Sequence, residues 1–264
     1  MGITIFPVTP DFVAEVGDVD LARLSEPELA EVKEAFWKYA VLIFPDQHLT
    51  GDQHLAFARH FGPVETDRVL DQKVTPHRLD QSFADISNLG PDGKIWAGDS
   101  RQRMYKAGNK LWHTDSSFKR RPGLASLLYS HTVAPVGGHT EFADQRAAYD
   151  ALPDAMKQKL AGRIAEHSIA TSRRKSGFTE FNPDENGRLP PVPQALVRTL
   201  PQSGRKSLYV ASHAGRIYGM SDEEGRNLID EMLRVYQTYE GDIDSVKLLD
   251  PGNRAPNATR KEQP

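Results

Sequence analysis

Residues 111–118 read LWHTDSSF, and the assignment of fold and function turns on whether His113 and Asp115 are metal ligands or two polar residues of an ordinary strand. On an extended strand, residues two apart face the same side, so an imidazole nitrogen and a carboxylate oxygen can meet on one ion. Such donors suit a first-row metal such as iron(II), because two histidines and one carboxylate on one face leave other positions open for a cosubstrate and O2. The spacing alone is a weak signal. With 9 histidines in the chain, about 0.7 His-x-Asp matches arise by chance. What surrounds the pair therefore decides its meaning.

Outward from that stretch the chain alternates short strand patterns, helices and long polar segments. A strand is expected near 3–8. The segment LSEPELAEVKEAFWKYA reads as a helix from Glu26, with Ser25 and Glu28 at capping-box spacing and Leu29, Val32, Phe36 and Tyr39 on one face. AVLIF at 40–44 has the length and branching of a buried strand. A second helix follows, with Thr50 and Gln53 as its capping pair and Gly62 as its stop. Residues 63–110 are polar, broken only by ADISNL at 84–89, and read as a lid-like insertion. Further strands are expected at 124–133, 140–143, 195–199 and 207–212, and helices at 145–152, 154–165 and 222–239. The polar stretch 173–193 reads as another mobile loop. Short strands with helices outside them suggest a mainly β fold with flanking helices, an antiparallel core of jelly-roll type. A parallel α/β sheet is disfavoured, since strands and helices do not alternate regularly and no glycine-rich phosphate loop follows the first strand.

Composition narrows the function. A formal charge of -3 over 264 residues lacks the clustered positive excess that nucleic acid demands. The absence of cysteine excludes disulfides, a thiolate zinc site and a cysteine nucleophile, and leaves His, Asp and Glu to hold any metal. No apolar run approaches the ~20 residues of a membrane span, and MGITIFPVTPDF carries no basic segment followed by an apolar one. A cytoplasmic protein acting on a small molecule, with neither a nucleic-acid nor a membrane partner, is expected. A hydrolytic zinc site is disfavoured because no His-Glu-x-x-His motif is present.

Beyond Asp115, GGHTEFAD follows at 137–144. Together with VLIFPDQHLTGDQHLAFARHFGPVE, DISNLGPDGK, NKLWHTDSSF, VAPVGGHTEFADQRAAYDALP and LVRTLPQSGRKSLYVASHA, it resembles the iron(II)- and 2-oxoglutarate-dependent dioxygenases of the taurine dioxygenase superfamily, above all the bacterial enzymes that cleave 2,4-dichlorophenoxyacetate and related aryloxyalkanoates. The matching segments run in family order from about residue 10 to residue 215. The resemblance implies a double-stranded β-helix with His113 and Asp115 as iron ligands and Thr140 as partner of the distal carboxylate of 2-oxoglutarate. It also puts Asn109 where related enzymes place a polar group beside the substrate. It further implies oxidative decarboxylation of 2-oxoglutarate with O2, coupled to hydroxylation next to the substrate's ether oxygen, and a homo-oligomer. Among the neighbours, Trp112 reads as core. His48, His54 and His60 fall in or beside an amphipathic helix and are given no chemistry. Lys94, Arg101, Arg103, Lys106 and Lys110 read as a solvated lid, one of which would otherwise receive a substrate carboxylate.

The pattern breaks near the C-terminus. The family completes its triad with a distal histidine and grips 2-oxoglutarate with an arginine further on, yet no histidine follows His213, and neither Arg254 nor Arg260 aligns with that arginine. In the family's Gly-Gly-Asp-Thr turn, His139 replaces the acid. The expected organisation is a dioxygenase domain over 1–240 and an atypical, poorly ordered tail over 241–264. The abrupt stop favours a truncated or frameshifted end and an incomplete jelly roll. The competing readings are His213 or His139 as substitute third ligand, or a β-barrel binding protein that has lost catalysis.

Overall fold

A computed structural model describes residues 2–66, 78–132, 138, 140–238 and 245–248, with 235–238 and 245–248 described by backbone only. Two hydrophobic cores organise these residues. The N-terminal one is built on a three-stranded sheet in the order β1 (Thr4–Pro7), β2 (Ala14–Gly17), β3 (Leu42–Ile43). α1 (Glu26–Tyr39) and α2 (Gly51–Arg59) contribute to it, and each carries the expected reciprocal cap, Ser25 with Glu28 and Thr50 with Gln53. Leu21, Val32 and Phe57 form part of its centre, backed by Ile3, Leu42, Phe44 and Leu127. The caps of both helices are realised as expected because each rests on a local signal, whereas the buried strand expected over 40–44 shrinks to the two half-buried residues of β3, and β2 was not anticipated.

The insertion's described part contains α3 (Arg101–Lys106), followed by a 3-10 turn at Ala107–Lys110. β4 (Thr140–Ala143) then leads into α4 (Gln145–Asp150). The helix expected over 154–165 ends early. α5 covers Asp154–Leu160, Gly162 turns at φ +69°, and β5 (Ile164–His167) takes the remainder. Nor is the stretch 173–193 a bare loop. α6 (Ile169–Lys175) enters it, α7 (Pro183–Arg188) lies within it under an Asn182–Glu185 capping box, and β6 (Val192–Ala195) closes it.

β7 (Val197–Thr199) pairs with β8 (Lys206–Leu208), and β9 (Ala214–Ile217) completes a three-stranded sheet in the order β6, β5, β9. α8 (Asp222–Thr238) packs on β9. The second core gathers Leu160, Leu196, Leu208, Ile217, Leu228 and Met232 from these elements. Inside the tail expected to lack order, β10 (Ser245–Leu248) pairs antiparallel with β4. The two cores are joined by Arg146, whose buried guanidinium grips Asp144 through both carboxylate oxygens (2.9 and 2.8 Å) and also donates to the carbonyls of Lys38 and Asp11, each at 2.8 Å.

Helices are the longest elements, and the sheets among the described residues have two or three strands with no closed barrel. The expectation of a mainly β chain is corrected to a mixed helix-and-strand one. The segment 124–132 explains part of the difference. It has the residues of a strand, but none of its described residues is in a ladder. Leu124 and Leu128 are 56% and 64% exposed, while Leu127 and Tyr129 turn inward, the latter tied to Leu49 and Gln47. Alternation survives there with no pairing strand among the described residues to satisfy a strand's backbone groups.

Candidate metal centre

The segment carrying His113 and Asp115 is not part of a sheet. It leaves the 3-10 turn, where the Leu111 N–H donates to the Gly108 carbonyl, and is held from the side by the Ser212 N–H donating to the Trp112 carbonyl at 3.0 Å. The two side chains nevertheless meet. His113 Nε2 and Asp115 Oδ1 are 3.2 Å apart, and both side chains are partly open to solvent. His113 Nδ1–H donates to the Leu111 carbonyl at 2.7 Å. A carbonyl can only accept, so this bond puts the proton on Nδ1 and points Nε2 at Asp115, the role an outer-shell partner plays for a metal-binding imidazole. The Ser126 hydroxyl donates to Asp115 Oδ2 at 2.6 Å, which leaves Oδ1 toward the imidazole.

Electrostatics couple the pair. The hydrogen bond with His113 and that from Ser126 lower the Asp115 pKa against the effect of burial, and the same carboxylate raises that of His113. An imidazole nitrogen and a carboxylate oxygen sharing one proton are also a donor set for one divalent cation, since a metal takes the place of the proton. By donor chemistry these two residues fit an iron(II) ion.

The backbone reverses immediately after them. Ser116 adopts φ +56° and its hydroxyl donates to Glu65 at 2.9 Å. Ser117 is fully buried: Gln194 Nε2 donates to its carbonyl at 2.9 Å, and its hydroxyl is hydrogen-bonded to His167 Nδ1 at 3.0 Å. His167 stacks on Tyr209 with rings 9° from parallel, and burial lowers its pKa to about 4. Sequence reasoning missed His167, because its strand pattern gives no sign of what the imidazole meets.

The remaining expected residues fall as follows. His213 is buried, its ring centre is 6.1 Å from that of His113 and 4.9 Å from that of Phe118, and its Nδ1 has no hydrogen-bond partner. Burial first, and then the charge of His113, lower its pKa to about 3. Among the described residues no group of three potential metal-binding side chains is assembled. Thr140 opens β4, opposite Leu248 of β10. Asn109 sits in the 3-10 turn, where its Oδ1 accepts from Arg173 Nη2 at 2.8 Å. His139, Arg254 and Arg260 lie outside the described residues. Of the basic residues around the insertion, Arg101 pairs with Glu185 at 2.5 Å and Lys106 donates to the Ser87 carbonyl at 2.8 Å, so both have structural work.

Comparison with known proteins decides the family. Residues 4–241 match the family described as "Taurine catabolism dioxygenase TauD, TfdA family". The chain belongs to this family. It is 40% identical over 235 residues, 88% of this chain and 82% of the other, to an alpha-ketoglutarate-dependent 2,4-dichlorophenoxyacetate dioxygenase of Cupriavidus pinatubonensis. It is 35% identical to an (S)-phenoxypropionate/alpha-ketoglutarate-dioxygenase of Sphingobium herbicidovorans, covering 87% of this chain and 77% of that one. Among solved structures, AAD-2 in complex with Mn(II) and N-oxalylglycine superposes with a TM-score of 0.88 at 44% identity, covering 94% of this chain and 85% of that one. The motifs quoted above identified this TauD/TfdA dioxygenase family correctly.

Proposed function

We propose that this chain is a non-haem iron(II) dioxygenase that couples decarboxylation of 2-oxoglutarate to hydroxylation and cleavage of an aryloxyacetate-type acid. The observation that carries the reading is the convergence of His113 Nε2 and Asp115 Oδ1 at 3.2 Å, in a family whose relatives at 40% and 35% identity bear the names of such enzymes. The bound iron(II), with 2-oxoglutarate and O2, would supply the oxidising equivalents, giving succinate, CO2 and a hydroxylated carbon beside the ether oxygen. The hydroxylated carbon is a hemiacetal, which collapses to a phenol and glyoxylate.

The chain's own residues hold and orient. His113 keeps its proton on Nδ1 through Leu111 and offers Nε2 to the metal, while Ser126 restrains the Asp115 carboxylate. We assign Thr140 to the distal carboxylate of 2-oxoglutarate and Asn109 to the substrate, both from the family pattern, with His213 as the candidate substitute for the third ligand. The reading includes a double-stranded β-helix core within a single domain over 1–240, with 63–110 as its lid and 241–264 as an appended tail. It also includes a cytoplasmic homo-oligomer. Among the described residues no helix is long and apolar enough to cross a membrane.

The test is aerobic incubation with iron(II), ascorbate, 2-oxoglutarate and phenoxyacetate. Succinate and phenol should appear together, and both should vanish in His113→Ala. Absence of iron-dependent succinate with every aryloxyacetate tried would overturn the proposal.

A further inference from the structure

The two long polar segments meet at Arg173. This residue lies in the last turn of α6, is 6% exposed, and has its guanidinium 4.4 Å above the ring of Tyr105 on α3. The backbone of the 3-10 turn rests directly on it: a Cβ added at Gly108 would fall 2.1 Å from Arg173 Nη1. Its Nη2 donates to Asn109 Oδ1 at 2.8 Å. Below Tyr105, Phe178 and Phe181 complete an edge-to-face aromatic cluster, and Arg101 links α3 to Glu185 of α7. The turn at 107–110 is therefore clamped between α3 and α6, immediately before Leu111, whose carbonyl orients His113.

A guanidinium has five donors and no acceptor. It can meet a carboxamide only through the oxygen, so the arginine decides which way the Asn109 amide faces. With Oδ1 committed to Arg173, the NH2 is left as the group Asn109 can offer outward, and Asn109 is exposed. A lysine would keep the charge but lose the flat fork that stacks on Tyr105 and reaches Asn109 at the same time.

We propose that Arg173 is a positioning residue for substrate recognition: held between Tyr105 and Gly108, it locks the Asn109 carboxamide so that its NH2 donates to an acceptor oxygen of the acid substrate. This inference rests on the reading of Asn109 as a substrate contact. It adds that the contact is preset before substrate arrives, and that preset groups bind better because the ordering cost is already met.

Three variants test it: Asn109→Ala, Arg173→Lys and Gly108→Ala. The first readout needs no turnover. In 15N–1H spectra the side-chain NH2 pair absent from Asn109→Ala identifies the Asn109 amide. In the parent protein the pair should be displaced from the positions of a free carboxamide by the guanidinium bound to Oδ1, and in Arg173→Lys and Gly108→Ala it should move to those positions. The second readout is the split of KM from kcat with phenoxyacetate. Asn109→Ala and Arg173→Lys should each raise KM about tenfold, the size of one hydrogen bond to a charged oxygen, and the double variant should be no worse than either.

An unchanged Asn109 amide signal in Arg173→Lys, or KM increases that multiply in the double variant, would overturn the proposal. A purely structural arginine would lower the melting temperature without moving KM. Should Arg173→Lys fail to fold, Gly108→Ala carries the same test. If the parent protein turns over no phenoxyacetate, the assigned reaction fails, while the amide spectrum still decides whether Arg173 sets Asn109.

Discussion

Acid should unfold this protein partly through His167, and the magnitude follows from its surroundings. The imidazole is 1% exposed, stacked on Tyr209 and hydrogen-bonded to Ser117, while the charges of Arg198 and Lys175 add to the effect of burial, so its pKa falls from 6.5 to about 4. In the unfolded chain the same group titrates near 6.5. Between these values the unfolded state binds a proton that the folded state refuses, so stability is full above pH 6.5 and is lost as pH falls toward 4. From neutral pH to pH 5 the loss attributable to this one group is about 2 kcal/mol, and over the whole window it is on the order of 3 kcal/mol. Other groups titrate over the same range, so a difference isolates the effect. His167→Gln retains an amide for the Ser117 hydroxyl but cannot take up the proton. Urea midpoints of both proteins at pH 7 and pH 5 should show the parent losing about 2 kcal/mol more than the variant on acidification. Equal losses would refute the assignment of a neutral, protein-enclosed imidazole beside Ser117.

Arg146→Met should cost about 3–5 kcal/mol in urea unfolding, since it strands the buried Asp144 carboxylate together with two carbonyls. Asp144→Ala combined with Arg146→Met should recover part of that loss. Ser126→Ala should weaken Mn(II) binding about 10–100-fold in a competition titration against a chelator, by freeing Asp115 Oδ2. An unchanged dissociation constant would show that Ser126 does not orient the carboxylate.

What the sequence revealed and what it concealed divide along physical lines. The caps of α1 and α2 were legible because Ser25–Glu28 and Thr50–Gln53 are bonded to residues three positions away. The His113–Asp115 meeting agrees with the same-face expectation, but in a segment that joins no sheet it is held by the Leu111 carbonyl and the Ser126 hydroxyl rather than by strand alternation. Arg173, His167 and Gln194 were not legible, since their partners Asn109, Ser117 and Lys119 lie 50 or more positions distant and no periodicity encodes such a meeting. The strand expected at 124–133 failed for a related reason. Composition reports a residue's willingness to pair, but only a neighbouring strand turns that into a ladder, and no described strand pairs with its described residues.

The third ligand is where geometry and pattern must be weighed together. Two imidazoles bound to one ion at right angles, with metal–nitrogen distances of about 2.1 Å, bring their ring centres to roughly 4.6 Å. His113 and His213 stand at 6.1 Å, wider than that arrangement by more than an ångström. Yet the buried Nδ1 of His213 lacks a partner, and an unsatisfied buried nitrogen gains from any ligand it can reach. To close the gap His213 would have to leave its edge-on contact with Phe118, which opposes the movement. Removing His213 should therefore weaken Mn(II) binding far less than removing His113. Chelator competition on His213→Ala and His113→Ala compares the two directly, and equal losses would establish His213 as a full member of the ion's shell.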